Sequence, residues 1–155
     1  MSQAGFALAQ DSGETQDITL YGSTFRGWGF TEATMSIPGP DISFEEWVPV
    51  KITLISADGA LHDFFVDYNG NKAINSDEPH SPAFTSTTTF QFTPDRTGQF
   101  TYYCSFHPST MNGNTQIIPE LTPAILAVLM VVLAVAGILF KINKQPKKSD
   151  FSQLY

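Results

Sequence analysis

Residues 121–140, from Leu121 to Phe140, run for twenty positions without a charge, and this stretch constrains how the rest of the chain can fold. At 1.5 Å of rise per residue, a helix of that length reaches about 30 Å, the thickness of a bilayer's hydrocarbon core. Pro123 suits the first turn of such a helix. Lys141, Lys144, Lys147 and Lys148 follow at once, which by the positive-inside rule sets the C-terminus in the cytoplasm and everything before the helix outside. A buried soluble helix would be shorter and less uniformly apolar. The sequence predicts a single-pass chain, with a linker and transmembrane α-helix over 119–140 and a cytoplasmic basic tail over 141–155.

The globular part must come from what precedes. Thirteen Phe, five Tyr and two Trp, with abundant Thr and little helical periodicity before residue 120, favour an all-β domain, placed at 16–118. Gln16 to Tyr21 alternates polar and apolar and reads as the first strand. Phe25, Trp28 and Phe30 are candidate core residues in the glycine-broken stretch that follows, and Pro38-Gly39-Pro40 marks a turn. Val48 to Ile55 is β-branched, with Pro49 pointing to a strand edge or start. Asp58-Gly59 turns, His62 to Val66 begins another element, and a polar loop runs from Asn69 to about Pro82. Thr87 to Thr93 alternates cleanly, Asp95 to Gly98 turns, Gln99 to Cys104 is a strand, and Gln116 to Ile118 closes the domain. Short strands at such spacing predict an antiparallel sandwich.

Charge is unevenly divided. Residues 1–120 carry fourteen Asp or Glu against four Lys or Arg, while 121–155 carry four Lys against one Asp. The acidic part argues against nucleic acid; it suits either a basic protein partner or plain solubility. Residues 1–15 read either as the end of an export signal, with Ala7-Leu8-Ala9 as a small-x-small cleavage site, or as a flexible N-terminus.

The chemistry concentrates at the one cysteine. Cys104, His107 and Met111 fall within eight residues, and His62 lies 42 residues upstream. Alone, each is bland: a buried Cys or Met fills a core, and a His is most often satisfied locally. Together, two His, one Cys and one weak Met form the ligand set of a mononuclear blue-copper site. In Cys-x2-His-x3-Met, a strand ending at Cys104 runs into a short loop able to fold His107 and Met111 back toward the sulfur. A soft anionic thiolate stabilises Cu(I), the imidazoles suit both oxidation states, and a long thioether contact imposes no fixed geometry. A single cysteine excludes an intramolecular disulfide, tetrathiolate zinc and cysteine-ligated iron–sulfur clusters within this chain. No close carboxylate pair resembles a general acid and base, and no serine sits in a nucleophile elbow.

The run from Gly98 to His107 and on through Met111-Asn112-Gly113 resembles the cupredoxins, nearest the plastocyanin, pseudoazurin, amicyanin and halocyanin group. Val50 to Ile55 leading to Leu61-His62-Asp63-Phe64 is similar to that family's strand and first ligand, so the resemblance covers about 16–118. It implies a Greek-key β-sandwich holding one type 1 copper at His62, Cys104, His107 and Met111. The family's usual His-Asn is His62-Asp63 here, so Asp63 would tie the ligand loops by accepting from Ser105. The His107-to-Met111 spacing is one residue shorter than in plastocyanin and one longer than in amicyanin. Electrons in such proteins pass by the exposed edge of the second histidine; Phe106, Pro108 and Phe64 are candidates for its apolar surround. Tyr103 resembles a tyrosine marking a remote electron route, with core packing as its other reading. His80 has no counterpart and reads as a solvated loop residue or an accessory metal site.

These features imply a membrane-anchored, non-enzymatic carrier of single electrons in a respiratory or photosynthetic chain, without a small-molecule substrate. Its redox partners would be a cytochrome, a bc-type complex or a terminal oxidase. Two other expectations stand beside it: a fixed subunit of a larger redox or oxygenase complex, or a copper chaperone. An oxidase subunit II domain is disfavoured, because its dinuclear copper needs two cysteines.

Overall fold

The computed structural model describes residues 15–119 and the backbone of 123–143, where side chains are given for 127, 128 and 130–141. The chain divides into two units, one up to Glu120 and one from Leu121 onward.

Eight strands make two four-stranded sheets in the first unit. They are β1 (Gln16–Ser23), β2 (Gly27–Gly29), β3 (Ile42–Glu45), β4 (Val50–Ser56), β5 (Phe65–Asp67), β6 (Thr87–Phe92), β7 (Gly98–Tyr103) and β8 (Asn112–Ile118). One sheet runs β2-β1-β4-β6, the other β3-β8-β7-β5. Period-two alternation turns one face of each inward. Val50, Ile52 and Leu54 of β4 and Ile117 of β8 are buried, while Gln116 and Ile118 of β8 face out. Between the sheets, Phe64 stacks on Tyr102 at 5.3 Å and meets Trp28 edge-on at 6.1 Å, and Phe44 meets Phe92 edge-on at 5.3 Å. Such offset and T-shaped pairs follow the ring quadrupole and add to the area they bury.

The sandwich is mixed, which corrects the antiparallel expectation. β1 runs parallel to β4 (Gln16 beside Val50) and β3 parallel to β8 (Ile42 beside Thr115). Alternation alone cannot distinguish the two pairings, because each strand needs only one buried face. β3 itself falls outside the expected strands, although Ile42 and Phe44 alternate with Ser43 and Glu45 there. β8 begins four residues earlier than expected. Its turn-forming residues Asn112, Gly113 and Asn114 are overridden by pairing with β7, and the Tyr102 ring lies where a side chain at Gly113 would project. Of the three aromatic core candidates near Gly27, only Trp28 is buried; Phe25 and Phe30 are exposed. β2 is three residues long, and only its middle side chain can turn inward.

In the second unit, α1 (Pro123–Asn143) is a 21-residue helix whose described side chains are all exposed. Leu121 and Thr122 of the apolar run, residues 1–14 and the tail beyond 143 lie outside the described residues. Among the described residues no helix is long and apolar enough to cross a membrane.

Candidate metal centre

Three loops converge at one end of the sandwich. The first follows β4, where Asp58 accepts from the Thr24 amide at 2.7 Å and the Ala60 amide at 3.1 Å, shaping the turn at Gly59, whose φ is +72°. The same carboxylate lies 2.9 Å from His62 Nε2. A two-way backbone bridge with Phe84 fixes the His62 main chain (N–H to O distances of 2.9 and 2.7 Å). The imidazole is fully buried, 5.9 Å from the Phe84 ring and 6.4 Å from Trp28. With Nε2 held by Asp58, Nδ1 is the free nitrogen, and it points at Cys104 Sγ, 3.9 Å away.

The second loop is the one that carries the cysteine. β7 ends at Tyr103, and the chain then folds on itself: Cys104 N donates to Met111 O at 2.9 Å, His107 N to Cys104 O at 3.2 Å, and Met111 N to His107 O at 2.8 Å. These bonds bring His107 Nδ1 to 3.7 Å from Cys104 Sγ. His107 is half-buried, and its Nε2 lies 3.5 Å from Thr24 Oγ1 of the third loop. The donor atoms of His62, Cys104 and His107 all fall within 4.8 Å of one another. Met111 closes the loop with its side chain fully buried, and its methyl would lie 2.8 Å from a Cβ at Gly22. Gly22 is therefore glycine for space: Trp28 and Met111 both occupy the volume a side chain would need.

The two ligand loops are tied directly. The Ser105 amide donates to Asp63 Oδ1 at 2.6 Å, and the Ser105 hydroxyl donates to Asp63 Oδ2. The acceptor role expected of Asp63 is the observed one. Burial pushes the Cys104 thiol above its ordinary value, so a thiolate there needs a cation beside it. Burial also acts to raise Asp58, but hydrogen bonds from His62 and from the Thr24 and Ala60 amides hold it well below the usual carboxylate range.

The donor chemistry and the enclosure fit a type 1 copper: one thiolate, two imidazoles by Nδ1, and a buried thioether in the same loop. Phe106 and Pro108 are exposed beside His107, as expected. Phe64 is not; it is fully buried between Trp28 and Tyr102, because its position in the chain points inward. Exposed Phe25, next to Thr24, stands at this end instead. Tyr103 is half-buried and stacks on Phe65. His80 is exposed, with Nδ1 3.0 Å from Glu78 O, and is not a member of the cluster. Asp58, Thr24 and Gly22 escaped the sequence reading. Asp58 was visible only as half of a turn dipeptide, four residues before His62.

No protein-family model matches the sequence, and no curated protein matches it significantly. Solved structures do match, and they show the cupredoxin fold. Auracyanin A, a blue copper protein of Chloroflexus aurantiacus, aligns with a TM-score of 0.54 at 13% identity, over 68% of this chain and 100% of its own. Rusticyanin from Thiobacillus ferrooxidans aligns at 0.52 and 15% identity, over 69% and 79%. Auracyanin from Roseiflexus castenholzii aligns at 0.52 and 11% identity, over 69% and 100%.

Proposed function

We propose that this cupredoxin-fold chain is a one-electron carrier, with a single type 1 copper held by His62, Cys104, His107 and Met111. The observation that carries the proposal is the convergence of one sulfur and two imidazole nitrogens within 4.8 Å, two of the three residues fully buried. A copper held by these residues would supply a Cu(I)/Cu(II) couple, and ligands suited to both oxidation states would keep its reorganisation small. The protein's own part is rigidity. Asp58 fixes the His62 ring, the bonds from Cys104 to Met111 fix the loop, and the Asp63–Ser105 tie holds the two together. A ligand set held this firmly, with no position left open for a substrate, suits transfer rather than catalysis.

His107 is the route outward. It alone of the three clustered residues is not fully buried, and Phe106, Pro108 and Phe25 surround this end with exposed apolar surface. A redox partner such as a cytochrome, a bc-type complex or a terminal oxidase would dock there. The uncharged run of 121–140 and the four following lysines support a single-pass anchor, with the copper domain outside and the C-terminus cytoplasmic. Tethering would raise the carrier's effective concentration near membrane partners.

Full-length chain expressed in membranes tests the reading as a whole. It is expected to stay with alkali-washed membranes and, once loaded with Cu(II), to show an intense visible thiolate-to-copper charge-transfer band that Cys104→Ser abolishes. A colourless loaded protein overturns the copper reading, and release by the alkaline wash overturns the anchor.

A further inference from the structure

The longest loop, between β5 and β6, carries a second pattern unrelated to copper. Residues 67–78 read Asp-Tyr-Asn-Gly-Asn-Lys-Ala-Ile-Asn-Ser-Asp-Glu. Calcium loops of the EF-hand type place ligands at positions 1, 3, 5, 7, 9 and 12 of a twelve-residue segment, with position 7 giving a backbone carbonyl and position 12 a Glu. Those positions here are Asp67, Asn69, Asn71, Ala73, Asn75 and Glu78. The pattern wants glycine at position 6 for a sharp turn. Lys72 stands there, and its φ of +60° is the left-handed conformation that glycine would supply. We infer that residues 67–78 form a calcium-binding loop built on a β-sandwich, with no helices flanking it.

Three observations carry this beyond the sequence pattern. Asp67 and Glu78 are each only 4% exposed, and among the described residues neither makes an ion pair. Loop amides cradle both carboxylates, Gly70, Asn71 and Lys72 N donating to Asp67 and Tyr68 and Asn75 N to Glu78, which pre-arranges two buried negative charges with no cationic partner among the described residues. The oxygens of positions 5, 7 and 12 also converge on a single point. Asn75 Nδ2 sits 3.3 Å from Asn71 Oδ1, 2.8 Å from Ala73 O and 3.2 Å from Glu78 Oε2, its positive hydrogens occupying the place a cation would take. The base of the loop is closed by the Phe65–His80 bridge and by Val66 N donating to Pro79 O at 3.0 Å, so the first and last ligands are held near each other.

The ion is a hard divalent one, because every donor is oxygen. With two carboxylates among six positions, affinity belongs at the weak end, about 10⁻⁴–10⁻³ M, the range of extracellular modules. The reading is independent of copper, since no ligand is shared between the two sites.

Calorimetric titration of CaCl2 into chelator-stripped, copper-free, full-length chain in detergent tests it, with MgCl2 in parallel. One Ca²⁺ per chain is expected, bound at least tenfold more tightly than Mg²⁺. Glu78→Gln should weaken binding at least tenfold. Asn71→Ala, at an exposed position, should keep the fold and weaken binding several-fold, so it decides the matter if Glu78→Gln does not fold. No saturable heat up to about 10 mM Ca²⁺, well above the expected range, overturns the inference. So does Asn71→Ala binding indistinguishable from the unsubstituted chain.

Discussion

Replacing Asp63 isolates what the tie between the ligand loops is worth. Asp63 is 4% exposed and accepts from Ser105 twice, once from its amide at 2.6 Å and once from its hydroxyl. A hydrogen bond to a charged group contributes about 1.5–3 kcal/mol. Asp63→Ala removes both. Ser105 is exposed, so water recovers part of the loss, and deleting a buried carboxylate removes its desolvation cost. A net destabilisation of about 2–3 kcal/mol follows. For a domain near 100 residues that corresponds to a fall of about 10–20 °C in Tm. Asp63→Asn keeps Oδ1 for the Ser105 amide and presents an NH2 group to the hydroxyl, which reverses from donor to acceptor; its cost should be about 1 kcal/mol. The assay is denaturant unfolding of the copper-free chain, with chelator competition on the loaded protein to show whether the loosened loops release metal sooner. If Asn and Ala substitutions cost the same, the two-acceptor account fails. If neither exceeds about 0.5 kcal/mol, the tie does not hold the loops at all.

Two further outcomes follow from the same end of the sandwich. Gly22→Ala would place a methyl 2.7 Å from the Trp28 ring and 2.8 Å from the Met111 methyl, and should cost about 1–3 kcal/mol as they shift. The visible band of the loaded protein should move with Met111, and an unchanged spectrum with unchanged stability would contradict the packing. Asp58 is held below its ordinary value of 3.8, so its contribution to stability is complete above about pH 4 and disappears as pH falls further. Asp58→Asn should flatten that acid limb in pH-dependent unfolding, and an unaltered limb would show that the carboxylate is not held by His62 and the amides.

The ligand cluster was legible because its chemistry is compressed into one loop. Cys104, His107 and Met111 lie within four residues of their neighbours, and the backbone bonds from Cys104 to Met111 show how such spacing folds back. His62 was legible by residue type and by the strand before it. What spacing could not show is support from distant chain. Asp58 reaches Thr24 across 34 residues and Gly22 yields space to Met111, contacts that no local pattern encodes. Among the strands, β4 and β6 announced themselves by alternation, whereas β2 is too short to alternate and the start of β8 is written in turn residues. Phe25 and Phe64 show the limit of composition as a guide. Both are aromatic, but Phe25 is exposed in the loop after β1, while Phe64 packs against Trp28 and Tyr102.

The parallel pairing of β3 with β8 carries a consequence for biosynthesis. Ile42 waits for Thr115, so one edge of the second sheet has no partner until almost the whole domain has emerged. Pairings that distant in sequence close slowly, since the entropy of the intervening chain is lost before contacts return it. Until then Ile42 and Phe44 present an open apolar edge, the kind of surface on which growing chains associate wrongly. The first sheet, β2-β1-β4-β6, can assemble from residues 16–92 alone, but the second is complete only when β8 arrives, and the loop bearing Cys104, His107 and Met111 closes in that same last stretch. Any metal held by Cys104, His107 and Met111 would therefore bind only after the final strand has paired, because the turn that gathers them is closed by that pairing.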